Sequence, residues 1–223
     1  MRVAVVTGGA GAIGGAIVAA LGASDHHVVV LDRPCDLADA EAVREAAAGI
    51  LAEHGRVDVL VHAAAAFDRA ALAEVDLATW RRVQAVNVES ALLLAQAFAP
   101  GMAAGGFGRI ISIVSDTVWD PPAADMLAYV TSKGAVIALT RALARALGPD
   151  GIAVTAVAPG LTDTPAARGD LPPEAFGAAL ARQALPRTLV PDDVAQTVAF
   201  LASDAAAALT GQVLCPDGGL VLR

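Results

Sequence analysis

Tyr129 and Lys133 are the only tyrosine and the only lysine in a chain of 223 residues. They stand four apart in Tyr129-Val130-Thr131-Ser132-Lys133, a stretch that reads as helix. Side chains at i and i+4 share one face of a helix. An ammonium held near a phenol stabilises the phenolate and lowers the phenol's pKa. The hydroxyl must fall roughly 3 units from about 10, or about 4 kcal/mol, to exchange protons near neutral pH. The two singletons are therefore a candidate acid/base pair. The alternative is two surface side chains stacked by chance.

A second constellation opens the chain. Residues 2–6 are a short apolar strand running into Thr7-Gly8-Gly9-Ala10-Gly11-Ala12-Ile13-Gly14-Gly15 and an alanine-rich helix. Glycines in that context let a pyrophosphate approach the backbone, and the helix N-terminus offers free N–H groups and a positive dipole end. The strand over 27–31 ends in Asp32. An acid at that place accepts ribose hydroxyls and repels a 2′-phosphate, so NAD is expected over NADP. Arg33 beside it could cover the adenine or admit NADP.

The elements that must hold these groups alternate. After Pro34-Cys35-Asp36-Leu37 a helix runs to His54, capped by Asp36 or Asp39. A doubly wound fold usually places a helix and a strand before this point, and there is no room for them. The sheet edge is therefore expected to be truncated and the adenine pocket open. A strand over 57–61 precedes His62 and Ala63 to Ala66, whose small side chains admit a cofactor; His62 reads as structural. One long helix is expected over 77–98, with Asn87 in its middle. A strand over 109–114 ends at Ser115, followed by an irregular loop over 116–125 containing Trp119. The helix carrying Tyr129 and Lys133 is stopped by Gly148-Pro149-Asp150-Gly151. A strand over 152–157 leads into Pro159-Gly160-Leu161-Thr162-Asp163-Thr164. Residues 165–187, interrupted by Pro and Gly with one weak helix near 174–183, read as a lid. A helix from Asp192 and a last strand over 212–215 complete a single α/β domain over 1–223, a doubly wound parallel sheet.

Composition narrows the partners. A net charge of −8 argues against nucleic acid and anionic membranes. The longest apolar stretch, 91–107, is broken by Gln96 and Pro100, so no membrane span is expected. The N-terminus reads as a strand that starts at once, without a signal peptide. Cys35 and Cys215 are far apart, which suggests reduced thiols in a cytoplasmic protein. His26, His27, His54 and His62 support no metal site.

Taken together, these residues resemble the short-chain dehydrogenase/reductase family of the classical type, over essentially the whole chain. The resemblance rests on the glycine turn, Asn87, Ser115 at a strand end, Tyr129-x-x-x-Lys133, Pro159-Gly160 with Thr164, and Leu209-Thr210-Gly211-Gln212. Departures are Ala12 in place of a glycine, His62-Ala63-Ala64-Ala65 in place of Asn-Asn-Ala-Gly, Thr155 in place of an asparagine, and the missing helix and strand. The resemblance implies a Rossmann fold in which Tyr129 exchanges a proton with the substrate oxygen while hydride moves to or from a nicotinamide. It further implies that Lys133 lowers the Tyr129 pKa and binds the ribose, that Ser115 donates to the same oxygen, and that Asn87 holds a water linking Lys133 to solvent. Implied cofactor contacts are Gly8, Ala10, Gly11, Ala12, Ile13, Asp32, Arg33, Asp36, Leu37, Ala63, Ala64, Ala65, Tyr129 and Lys133, with Pro159, Gly160, Thr162 and Thr164 at the carboxamide. Ser115, Trp119 and Tyr129 would touch substrate. An apolar loop wall suits a small hydrophobic or aromatic secondary alcohol and its ketone, as in the family's aromatic-alcohol dehydrogenases; 3-oxoacyl-(acyl-carrier-protein) reductases are the alternative. A reading of another class is a non-catalytic NAD(H) sensor or assembly subunit, against which the intact Ser115, Tyr129 and Lys133 argue. Relatives of this type form homotetramers or homodimers, with helices over 77–98 and 127–147 pairing between copies.

Overall fold

The computed structural model describes residues 1–222. Six strands form one parallel sheet: β1 (Arg2–Thr7), β2 (His26–Leu31), β3 (Val59–His62), β4 (Gly108–Ile113), β5 (Ile152–Val157) and β6 (Val213–Leu214), in spatial order β2-β1-β3-β4-β5-β6. The chain reverses its progress across the sheet between β1 and β3. In open parallel sheets such a switch point opens a crevice at the carboxyl ends of the strands. As expected, no described strand lies outside β2: the family's usual helix and strand are absent, and β2 is the edge, with Val30 46% exposed.

Strand alternation sends side chains to two layers. Ala4, Val6, Val59, Val61, Ile111 and Ile113 pack on one face with Ile17 and Leu21 of α1 (Ala12–Ala23) and with Val194, Val198 and Leu201 of α8 (Pro191–Ala202). Val5, Leu60 and Ile110 pack on the other with Val43 and Ala47 of α2 (Ala40–His54) and with Leu94, Phe98 and Met102 of α4 (Ser90–Gly105). Every residue of β3, β4 and β5 is buried, which explains why they are largely apolar on both faces, with His62, Arg109, Ser112 and Thr155 as the buried polar exceptions. Burying one side chain such as Phe98 contributes roughly 2–3 kcal/mol.

Two expectations about helices are corrected, and an open choice of cap is settled. The helix expected over 77–98 is α3 (Leu77–Gln84), a π turn (Ala85–Glu89) and α4, which continues past Pro100. The π turn inserts an extra residue and turns Asn87 inward to full burial. The stretch at 165–187 holds two helices, α6 (Pro165–Asp170), capped by Thr164, and α7 (Glu174–Arg182). At α2 the cap is Asp39, which accepts from the Glu41 and Ala42 N–H groups. α5 (Leu127–Leu147) packs on β5 and carries the Tyr-Lys pair.

Candidate active site

The floor of the crevice is backbone against backbone. Gly8 has φ +69°, and a Cβ there would meet the Ala64 backbone at 2.8 Å. Thr7, fully buried at the end of β1, accepts hydrogen bonds from the Ala63 and Ala64 N–H groups at 3.1 and 3.0 Å. A Cβ at Gly14 would stand 2.1 Å from the Gly8 carbonyl oxygen, so α1 can begin only against a glycine. The α1 N-cap, Gly11, makes no side-chain capping bond, and Ala10, Gly11 and Ala12 are exposed. Uncapped N–H groups and a positive dipole end thus face the crevice. Ala12 lies at the helix start, where its methyl meets no positive-φ constraint.

The proton-handling groups converge from β4 and α5. Lys133, 2% exposed, donates from Nζ to the Ile113 carbonyl at 2.7 Å. That is its one hydrogen bond among the described residues, and an ammonium carries three donors. Nζ lies 5.6 Å from the centroid of the Tyr129 ring, so ammonium and phenol share one side of α5. The Ser115 side chain is within hydrogen-bonding reach of the Tyr129 hydroxyl. Ser115 in turn accepts from Thr117 Oγ1 at 2.9 Å and from the Thr117 N–H at 3.3 Å.

The electrostatics correct one expectation. In the protein alone, burial pushes the Tyr129 hydroxyl up to about 12, with the Asp116 charge pushing the same way and the Ser115 hydrogen bond pulling it down. Burial also brings Lys133 down to about 8. The reason is mutual: the enclosure that places an ammonium beside the phenol also disfavours both charges. Lowering Tyr129 therefore needs more than the lysine's proximity.

Several other residues differ from their expected duties. Asn87 accepts from the Ala66 N–H at 2.7 Å and donates to the Ala66 carbonyl and to Ser132 Oγ at 3.0 and 2.8 Å. Both amide protons are thus engaged by protein, and the side chain clamps the loop after β3 to α5. His62 is neutral, held down to about 3 chiefly by burial, and shares a 2.7 Å hydrogen bond with Ser90 Oγ. Thr162 donates to the Gly160 carbonyl at 2.9 Å. Thr164 Oγ1 accepts from the Ala167 N–H as the α6 cap, leaving its own proton available. Trp119 is half-buried against the apolar cluster of Val114, Val136 and Ile137. The ring that meets Tyr129 is Phe67, edge-on with centroids 4.9 Å apart. Sequence reasoning passed over Phe67, Thr7 and Asp116; of these, only Thr7 carried a local signal, as a polar residue closing a buried strand.

At the adenosine end, Asp32 accepts from the Ala10 N–H at 2.9 Å and from the Arg33 N–H at 2.8 Å. These two bonds hold its carboxyl below the usual range. Asp36 pairs with Arg82 of α3 at 3.2 Å, and Leu37 is buried in the core. No helix among the described residues is long and apolar enough to cross a membrane. No cluster of three or more potential metal ligands occurs among them, and Cys35 and Cys215 are not joined in a disulfide.

The family profile described as enoyl-(acyl carrier protein) reductase matches residues 4–221. A D-xylose 1-dehydrogenase of Caulobacter vibrioides is 36% identical over 237 residues, covering 96% of this chain and 94% of that protein. The chain belongs to the short-chain dehydrogenase/reductase family, of the classical type. It is an oxidoreductase of that family, using a nicotinamide cofactor on a small substrate. A solved structure described as an NAD(P)-dependent gluconate 5-dehydrogenase of Beutenbergia cavernae, with NADP at low occupancy, is 37% identical with a TM-score of 0.91, over 98% of this chain and 96% of that one. A short-chain dehydrogenase of Burkholderia cenocepacia in complex with NADP is 33% identical with a TM-score of 0.89, over 98% and 97% of the two chains.

Those two nucleotides overturn the expectation that Asp32 selects NAD. The carboxylate that was to meet the ribose is instead turned onto the backbone of the glycine turn, where it braces Ala10. Arg33 follows immediately, exposed at the sheet edge. The remaining residues fit a nicotinamide dinucleotide: an uncapped helix start, a glycine cradle that a Cβ would fill, and a buried ammonium with unused donors.

Proposed function

We propose that this short-chain dehydrogenase/reductase interconverts a small secondary alcohol and its ketone with NADP(H). The observation that carries the reading is the convergence of Ser115, Tyr129 and the Lys133 ammonium at the carboxyl end of β4, beside the glycine cradle. When bound, the nicotinamide supplies or accepts hydride at the carbinol carbon. In the reducing direction Tyr129 gives its proton to the carbonyl oxygen. Ser115, whose oxygen accepts from Thr117, donates a hydrogen bond to that same oxygen as charge develops there and keeps its proton. Lys133 stabilises the phenolate left behind and uses its remaining N–H groups on the ribose. The N–H groups at the start of α1 hold the pyrophosphate, and Arg33 meets the 2′-phosphate. Pro159, Gly160, Thr162 and Thr164 orient the carboxamide, and the segment over 165–187 closes over the substrate.

Phe67, against Tyr129, supports an apolar wall and hence a hydrophobic or ring-bearing alcohol. A polyhydroxylated substrate is the second reading. It is favoured by the ion pairs Arg69–Asp125 and Arg182–Asp120 on the loops around the site, and by the xylose and gluconate named for two relatives. A kinetic screen with NADPH and NADH tests both: aromatic and alicyclic ketones, aldoses and keto sugar acids, and a 3-oxoacyl thioester. The proposal expects turnover of at least one ketone with NADPH. NADPH binding without turnover on any of them would favour a sensor.

A further inference from the structure

Asp116 follows Ser115 directly and is 5% exposed. Its backbone N–H donates to the Pro159 carbonyl at 3.2 Å, which ties it to the loop proposed to hold the carboxamide. Ser115 Oγ already accepts from both donors of Thr117. Its own proton is its one remaining polar function, and in the structure it points to Asp116 Oδ1 at 3.4 Å. That long contact is easily exchanged for a substrate oxygen. We propose that Asp116 is a positioning residue, a buried carboxylate that holds the Ser115 hydroxyl proton in readiness beside Tyr129.

Three kinds of group face this carboxylate. Asp217 from the C-terminal turn and Asp120 from its own loop both disfavour its charge; Ser115 and the Thr117 N–H support it by hydrogen bonds. On the α5 side stands Tyr129, whose hydroxyl feels the Asp116 charge. Asp217 cannot turn away to relieve the repulsion, because its carboxylate accepts from the Gly219 and Val221 N–H groups at 2.9 Å each. Gly160 also packs on it closely, since a Cβ at Gly160 would meet Asp217 Cα at 2.9 Å. The acid is thus fixed behind the serine with burial and like charge around it, and among the described residues its carboxylate forms no ion pair. A carboxylate too far from the phenol to act on it would be replaceable by an amide with no effect on the tyrosine's titration.

The inference rests on Tyr129 being the proton-exchanging group, and the experiment separates the two claims. Tyr129 is the only tyrosine in the chain, so the tyrosinate absorbance of the intact protein with bound NADPH reports this one hydroxyl. The expected result in Asp116→Asn is a midpoint lower by about half a unit or more, because a neighbouring negative charge is lost. The rising limb of alcohol oxidation against pH should move down in parallel, raising kcat/KM about threefold or more below the limb. Asp116→Glu, which keeps the charge, should leave the midpoint near that of the parent. An unmoved midpoint in folded, NADPH-binding Asp116→Asn overturns the proposal even if that variant turns over poorly. Wild-type activity in Tyr129→Phe would instead remove the reading on which the proposal stands.

Discussion

The two ends of the crevice are built differently. At the nicotinamide end, Lys133, Asn87, Ser115 and Asp116 are all buried, and their hydrogen bonds run to strand ends and helix interiors. At the adenosine end, Ala10, Arg33 and Asp36 are exposed, and the sheet stops at β2. The Asp36–Arg82 pair there has side chains 53% and 59% exposed. Buried groups must be polar for a reason, since each unmatched one costs about 1–3 kcal/mol. Exposed groups can change partners at little cost. In the proposed function, the chemistry is therefore written where substitution is expensive, and the choice of cofactor where it is cheap.

Substitutions at both ends put that contrast at risk. The largest effect is expected at the glycine cradle. Gly14→Ala places a methyl against the Gly8 carbonyl and should destabilise the fold by about 3 kcal/mol or more, read by chemical denaturation. Gly49→Ala in α2, where an added Cβ meets nothing within 4 Å, should instead stabilise by about 0.5–1 kcal/mol.

Next comes Asp116. Burial and Asp217 raise its carboxyl from 3.8 to about 6, so the charged form is disfavoured in the folded protein. The parent should lose stability as pH rises through that window, whereas Asp116→Asn should not. Denaturation midpoints should coincide below the window and diverge above it, with the variant more stable by up to about 3 kcal/mol. A constant difference at every pH would contradict this account of the nicotinamide end.

At the adenosine end, Arg33→Ala should weaken NADPH about 10- to 100-fold and leave NADH binding nearly unchanged, as measured by fluorescence titration. Equal loss for both would mean that Arg33 supports the loop and does not meet the phosphate. The smallest effect belongs to Arg82→Ala, which removes an exposed pair and should cost no more than about 0.5 kcal/mol of stability.

The same contrast explains what the sequence made legible. The parallel doubly wound sheet and its missing edge could be read, because strands and helices alternate and no residues remain for the extra pair after Asp32; Ser115 could be picked out because a polar residue closing a buried apolar run is costly unless it serves a site. The choice of NAD could not, because Asp32 turns onto the Ala10 backbone, 22 residues away, and no local pattern marks that bond. Asn87 misled for a related reason: a π turn adds one residue to a helix without disturbing its apolar spacing enough to show. Phe67 meets Tyr129 only through two loops brought together by the fold, helped by the Arg69–Asp125 pair. Asp116 is pushed up by its burial and then by Asp217 from the far end of the chain. Contacts of that range are set by packing, and one-dimensional spacing does not carry them.

The central claim is that the one phenol in the chain carries the proton, while NADPH is held by groups other than its hydroxyl: the start of α1, Arg33 and Lys133. Its most direct test is single-turnover reduction of an accepted ketone by Tyr129→Phe, with NADPH affinity measured on the same sample. The account predicts a fall in rate of about 10²- to 10⁴-fold with affinity within a few-fold of the parent. A rate that survives the loss of the hydroxyl would contradict it.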